Sequence, residues 1–137
     1  MAVNTRFATG VHTLVLLAAE PEIQQTSEEI AQKLKTNPVV IRRVLSSLRQ
    51  AGLITSQKGP SGGSKLAKSG KAIRLGDIYR ALEPTSVLHG SSVSGENAAK
   101  VSGALEKIFR DAQAALESEL DSTTLNQLAK KVDKKKK

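Results

Sequence analysis

The sequence predicts a mainly α-helical fold with one small β-hairpin and one long helix near its C-terminal end. Three observations point there. Hydrophobic residues make up 39% of the 137-residue chain but aromatic residues only 2%, so the core is aliphatic and an all-β sandwich is disfavoured. Apolar residues recur every three or four positions in successive segments, which is the helical period. A single glycine-rich turn, Gly59-Pro60-Ser61-Gly62-Gly63, is flanked by short runs of strand length. The chain suffices for one compact core with an appended element and is too short for two ordinary domains with independent cores.

The first helix is expected from about Thr5 to Ala19, with Phe7, Val11, Leu14, Val15 and Ala18 on one face and Glu20-Pro21 as its stop. Thr26-Ser27-Glu28-Glu29 is a capping box, in which Thr26 and Glu29 each satisfy the other's backbone N–H. It starts a short helix that buries Ile30, Ala31 and Leu34. Pro38 suits the first turn of the next helix, where its missing N–H would be unpaired anyway, and Asn37 is the N-cap. That third helix runs to about Ala51 and ends at Gly52. Its Ile41, Val44, Leu45 and Leu48 face inward, so Val39, Arg42, Arg43, Ser46, Ser47 and Arg49 face out. Leu53 to Lys58 and Ser64 to Lys68 form the hairpin.

A further helix, Leu75 to Glu83, buries Leu75, Ile78, Tyr79 and Leu82 and stops at Pro84. Pro84 to Gly95 lacks periodicity and reads as a loop, with Leu88 its only large apolar residue. From Glu96 to Leu120, Val101, Leu105, Ile108, Ala112, Leu116 and Leu120 form a continuous apolar stripe. So small a protein has little chain left to cover that stripe, so a second copy of the helix is its natural cover. Thr124 and Gln127 open a last short helix with a second capping box.

Formal net charge is +8, and the run Lys130–Lys137 contributes six lysines against one aspartate. Such a run has the composition of a disordered tail. The remaining charge is uneven. Thr26 to Arg80 holds eleven basic and three acidic residues, whereas Glu96 to Leu120 holds three basic and five acidic. Positive charge thus gathers on the helix pair and hairpin, where a nucleic acid would bind.

No cysteine is present, which excludes disulfides, thiolate zinc sites and cysteine-held clusters in this chain. His12 and His89 have no neighbouring carboxylate or second histidine at metal spacing. The segment Gly59 to Lys65 superficially resembles a phosphate-binding loop, but Leu66 stands where a magnesium-binding Ser or Thr is required. With no nucleophile–base cluster, nothing indicates an enzyme or calls for a cofactor. No segment has the roughly 20 apolar residues of a membrane span. The stretch Leu14 to Ala19 is too short for a signal peptide's apolar core, so the expected location is the cytoplasm.

Two short helices joined by a tight turn and followed by a hairpin make a winged helix-turn-helix, whose third helix would read DNA. Arg42 and Arg43 suit bidentate contact with guanine in the major groove. The same pair could also be merely solvated. Thr26, Ser27 and Asn37 at helix starts, with Ser46 and Ser47, are candidate phosphate contacts, although capping alone explains the first three. Lys58, Ser61 and Lys65 could reach the backbone or minor groove from the hairpin. A competing reading is a winged-helix adaptor that binds proteins rather than DNA.

The segments NPVVIRRVLSSLRQAGLI (37–54), KGPSGG (58–63) and IRLGDIYRALE (73–83) resemble the Rrf family of bacterial winged-helix transcriptional regulators. AQAALESEL (112–120) and TTLNQL (123–128) most resemble its YwnA-like branch. The resemblance implies a homodimer whose long helices cross, with Val39, Arg42 and Arg43 reading bases of double-stranded DNA and Lys58 at the wing tip. Lys58 stands where arginine is usual, and lysine lacks the planar fork of a guanidinium. Ser64 replaces a frequent tyrosine. Cluster-binding members carry cysteines before the long helix, where this chain reads LHGSSVSG (88–95), so iron–sulfur sensing is not carried over. A small-molecule effector, if the chain has one, would act through His89 or a pocket beside the long helix. The expected organisation is a winged helix-turn-helix over 1–84, a loop over 85–95, the dimerisation helix and a short helix over 96–129, and the basic tail over 130–137. The expected function is a repressor acting on a pseudo-palindromic promoter site.

Overall fold

The computed structural model describes residues 5–83 and 94–136, with side chains through 132. All but the last two residues of the expected loop, Leu88 and His89 included, lie outside the described residues. The elements follow the expected order: α1 (Thr5–Ala19), α2 (Ser27–Leu34), α3 (Pro38–Gln50), β1 (Ile54–Gln57), β2 (Gly63–Leu66), a 3-10 turn at Gly70–Ala72, α4 (Leu75–Leu82), α5 (Glu96–Asp121) and α6 (Leu125–Lys136). The two strands pair antiparallel, Ile54 with Leu66 through Gln57 with Gly63. The return strand therefore begins one residue earlier than its composition suggests.

One aliphatic cluster holds the helices together. Leu14 and Leu17 of α1, Ile30 and Ala31 of α2, Ile41, Val44 and Leu48 of α3, Ile78 and Leu82 of α4 and Leu125 of α6 are all buried in it. Because α6 contributes Leu125, the chain beyond the long helix returns to the same core. Gly10 permits the close crossing of α1 and α4, since a Cβ there would overlap the Leu82 side chain. Tyr79 sits at the meeting of three helices. Its ring is edge-on to Phe7 of α1, with centroids 5.7 Å apart, and its hydroxyl accepts from Gln113 Nε2 of α5 at 3.2 Å.

Gln25 joins the hairpin to the helices. Its backbone exchanges both hydrogen bonds with Ser64, at 3.0 and 2.8 Å, which adds an isolated bridge beside β2. Its buried side chain donates to the Leu16 carbonyl at 3.2 Å and accepts from Lys33 Nζ at 3.0 Å. Gly63 makes this possible: it has φ of 145°, and a Cβ would come within 2.8 Å of the Gln25 backbone. At the other end, the Leu75 N–H donates to the Thr123 carbonyl and the Leu125 N–H to the Ile73 carbonyl. The start of α4 is thereby clamped by the turn between α5 and α6. Arg80 then reaches Asp77, Glu117 and Asp121 at 3.1, 3.0 and 2.9 Å.

α6 continues through Lys136, past the end at 129 expected from the lysine run. Lysine is a good helix former, and positive charge is favoured where the helix carbonyls are unpaired.

Replacing Gln25 by Ala removes two part-buried hydrogen bonds, one to the Leu16 carbonyl and one from Lys33, so a loss of about 1–3 kcal/mol is expected in urea denaturation. The Glu117 carboxyl is held below the ordinary carboxylate range by hydrogen bonds from Gln113 and Arg80. Its ionised form therefore stabilises the fold at neutral pH, and that contribution fades as acid takes the pH through and below the carboxylate range. Arg80→Ala is expected to lessen the fall of melting temperature on acidification, which thermal unfolding at a series of pH values checks.

Candidate nucleic-acid interface

The face built by α2, α3 and the hairpin begins with two caps. Thr26 Oγ1 accepts from the Glu29 N–H at 3.1 Å, and Glu29 Oε1 accepts from the Thr26 N–H at 2.9 Å. Asn37 Oδ1 accepts from the Val39 N–H at 2.8 Å, with Pro38 behind it at the helix start. Both helix starts are thus fixed by side chains in the sequence-predicted way. Between them Lys35 takes the left-handed conformation, φ 56°, and ends α2.

α3 buries Ile41, Val44, Leu45 and Leu48, which turns Val39, Arg42, Arg43 and Arg49 to solvent and leaves Ser46 and Ser47 half-buried. A groove runs between the N-terminus of α2, the outer face of α3 and the wing, lined by Thr26, Ser27, Glu28, Arg42, Arg49 and Lys58 among others. The structure therefore brings Thr26, Ser27, Arg42 and Lys58 together. Val39, Arg43 and Asn37 lie on the exposed surface of the helix-turn-helix outside that groove, and Ser61 is exposed at the hairpin tip.

Lys65 is placed differently. It pairs with Thr55 in the hairpin and lines a separate hollow with Ala18, Pro21, Glu22, Lys68 and Asn126. Strand side chains alternate between faces, so Lys65 falls on the side away from Arg42.

Three residues of this face were not singled out as contacts by sequence. Arg6 Nη2 of α1 donates to Ser47 Oγ at 3.1 Å, which adds a cation to the flank of α3. Arg49 enters the groove; its place on the outer face of α3 was the available signal. Glu28 Oε2 accepts from Arg42 Nη1 at 2.8 Å, and Ser27 Oγ donates to Glu28 Oε1 at 3.2 Å. The Glu28 carboxyl lies below its ordinary pKa, first through its backbone hydrogen bond at the start of α2, then through Ser27 and Arg42. The face offers guanidinium, ammonium, hydroxyl and helix-end N–H donors, a set suited to phosphates and base edges.

The long helix presents the other exposed surface. One flank of α5 is tied to α4 through Gln113, Glu117 and Asp121. On the apolar flank, Val101, Ile108 and Leu116 are 52%, 58% and 37% exposed. Ala112 is exposed beside them, while Leu105 and Leu120 are half-buried.

Residues 3–131 match the Rrf2 family, described as iron-dependent transcriptional regulators. The chain belongs to the Rrf2 family. It is 35% identical over 127 residues to YwnA of Bacillus subtilis (strain 168), named as an HTH-type transcriptional regulator, covering 90% of this chain and 93% of YwnA. Among solved structures, a transcriptional regulator from Lactobacillus plantarum matches with TM-score 0.80 at 29% identity, over 93% of this chain and 89% of that one. CymR, the global cysteine regulator of B. subtilis, matches with TM-score 0.71 at 29% identity, over 95% and 97%.

Membership makes this chain a winged-helix transcriptional regulator. The iron dependence in the Rrf2 description finds no ligand set among the described residues. The chain has no cysteine, and among the described residues no group of three or more histidines or carboxylates is placed to hold a metal ion. Among those residues, no helix is long and apolar enough to cross a membrane.

Removing the Asn37 cap by Asn37→Ala is expected to cost about 1 kcal/mol in chemical denaturation. The same change should weaken DNA binding more than it weakens the fold if α3 reads DNA, because it frays the start of that helix; gel-shift titration well below the melting temperature checks this.

Proposed function

We propose that this Rrf2 protein is a cytoplasmic homodimeric repressor that occupies a pseudo-palindromic promoter site. The observation that carries the reading is the groove in which the α2 start, Arg42, Arg49 and Lys58 converge beside the outer face of α3. In such an arrangement α3 enters the major groove, Val39, Arg42 and Arg43 meet base edges, and the caps and hydroxyls meet phosphates. Thr26, Ser27, Asn37, Ser46, Ser47 and Ser61 are assigned to that second class. Lys58 lies along the adjacent backbone. Lys65, on the far side of the wing, contributes charge rather than a defined contact. Arg6, bonded to Ser47, is a further backbone contact at the flank.

The dimer reading rests on the exposed apolar flank of α5. A second copy packed along Val101, Leu105, Ile108, Ala112, Leu116 and Leu120 would cover it symmetrically. Two winged-helix units over 1–84 would then face half-sites whose centres lie about 34 Å apart, one turn of DNA. A regulator of this kind needs no catalytic centre, and the reading assigns none.

Selection from a random duplex pool at two salt concentrations tests the reading: a two-fold-symmetric site supports it, and sequence-blind binding that vanishes with salt overturns it. On the selected site Arg42→Ala should cost about 1–3 kcal/mol, concentrated at one base pair. Lys58→Ala should weaken all sequences alike and lower the salt slope by about 1. Ile108→Glu should yield a monomer in light scattering that still melts cooperatively.

A further inference from the structure

The proposed binding face carries one acidic residue that reaches across to a base-reading candidate. Thr26 to Arg80 contains three carboxylates. Glu29 closes the cap of α2. Asp77 accepts from the Arg74 N–H at the start of α4 and from Arg80. The Glu28 carboxylate closes no reciprocal cap: beyond its own backbone N–H at the start of α2 it meets Arg42 and the Ser27 hydroxyl, and its side chain is 67% exposed, that of Arg42 52%. Exposed ion pairs add little to stability. Placed among the groove's cations, the carboxylate also repels a polyanion, so it lowers the affinity of the face for phosphate.

Building on the DNA-binding reading above, we propose that Glu28 is a positioning residue that makes Arg42 selective for guanine. The bond at 2.8 Å engages Nη1 of Arg42, which leaves the Nη2 and Nε edge of the guanidinium available for the two acceptors of a guanine. On a site with guanine in place, Arg42 reads the base while keeping Glu28 as its partner. On any other sequence, Arg42 gains only by turning to a phosphate, and turning away leaves the Glu28 carboxylate unpaired against the DNA backbone. Glu28 therefore weakens binding to wrong sequences more than to the right one, which is how a repulsive group creates a difference of affinities.

The experiment uses the full chain, with affinities measured on the selected duplex, on variants of it at each position, and on a scrambled duplex. Glu28→Gln should leave the melting temperature unchanged, tighten binding to the scrambled duplex, and lower the ratio of selected to scrambled affinity about tenfold, in keeping with the usual worth of a bidentate base contact. The lost discrimination should concentrate at the guanine pair that Arg42→Ala also affects, and Glu28→Gln should remove nothing more there once Arg42 is alanine. Glu28→Asp, which keeps the charge but shortens the reach, should lower the ratio of selected to scrambled affinity in the same way without tightening binding to the scrambled duplex. An equal gain on every duplex with the ratio unchanged, or a retained position profile in Glu28→Gln, would overturn the proposal while leaving the regulator reading intact. Absence of any selected site for the unaltered chain would overturn both.

Discussion

The geometry of the candidate binding face leans on one buried residue, Gln25, through both its backbone and its side-chain amide. Gln25 lies directly before the cap of α2, so its backbone pairing with Ser64 sets the wing beside the helix-turn-helix. Its side chain meanwhile reaches Leu16 on α1 and Lys33 on α2. A two-stranded hairpin is marginal alone, and this additional pairing gives it a second line of backbone bonds. The Ser56 and Ser64 hydroxyls, 2.9 Å apart, reinforce the same corner. The left-handed glycine at position 63 is a consequence of that close approach. Without the amide, the wing would keep its backbone pairing and the buried Leu53 and Ile54 but lose its side-chain tie to α1 and α2, which would loosen the separation of Lys58 and Arg42.

A second joint transmits that order to the long helix. Backbone bonds from Leu75 to Thr123 and from Leu125 to Ile73 hold the start of α4 against the α5–α6 turn. Arg74 Nη1 donates to the Asp121 carbonyl at 2.8 Å and Arg80 spans three carboxylates. Partly exposed ion pairs contribute modestly when single and more when networked around one guanidinium. Their value here is directional: they fix which flank of α5 faces inward and leave the apolar flank outward. The angle between that flank and α3 determines how two copies could present their α3 helices together.

Local signals were legible in the chain and distant ones were not. Thr26, Asn37, Pro38 and Gly52 each act on residues within one helical turn, and the elements they bound emerge within about a residue of where their chemistry places them. The wing was visible in its glycines. Its facing was not, because strand period fixes alternation but not which face meets the core; Lys65 accordingly turned from Arg42 toward Pro21 and Lys68. Gln25 carries no periodic signal, being a polar residue between two helices, and its importance lies in partners that only the tertiary fold supplies. The same holds for Arg6, whose partner is 41 positions away, and for Arg80, bonded to Glu117 and Asp121 across the segment that separates α4 from α5. The Glu28–Arg42 pair was hidden differently. Both residues were plain in the sequence, but a capping box explains an acidic pair at a helix start so fully that a second role for one of them goes unseen.

Tyr79 turns the second joint into something observable. It is the chain's single tyrosine, and there is no tryptophan. Its ring meets Phe7 and its hydroxyl meets Gln113, so α1, α4 and α5 all touch the sole strong intrinsic fluorophore. Undocking the long helix would wet that phenol and remove its hydrogen bond from Gln113, whereas events confined to the groove beside α3 would leave it untouched. Tyrosine emission from the unlabelled protein therefore separates movements of the long helix from movements of the wing, and gives an optical window on any signal that passes between copies.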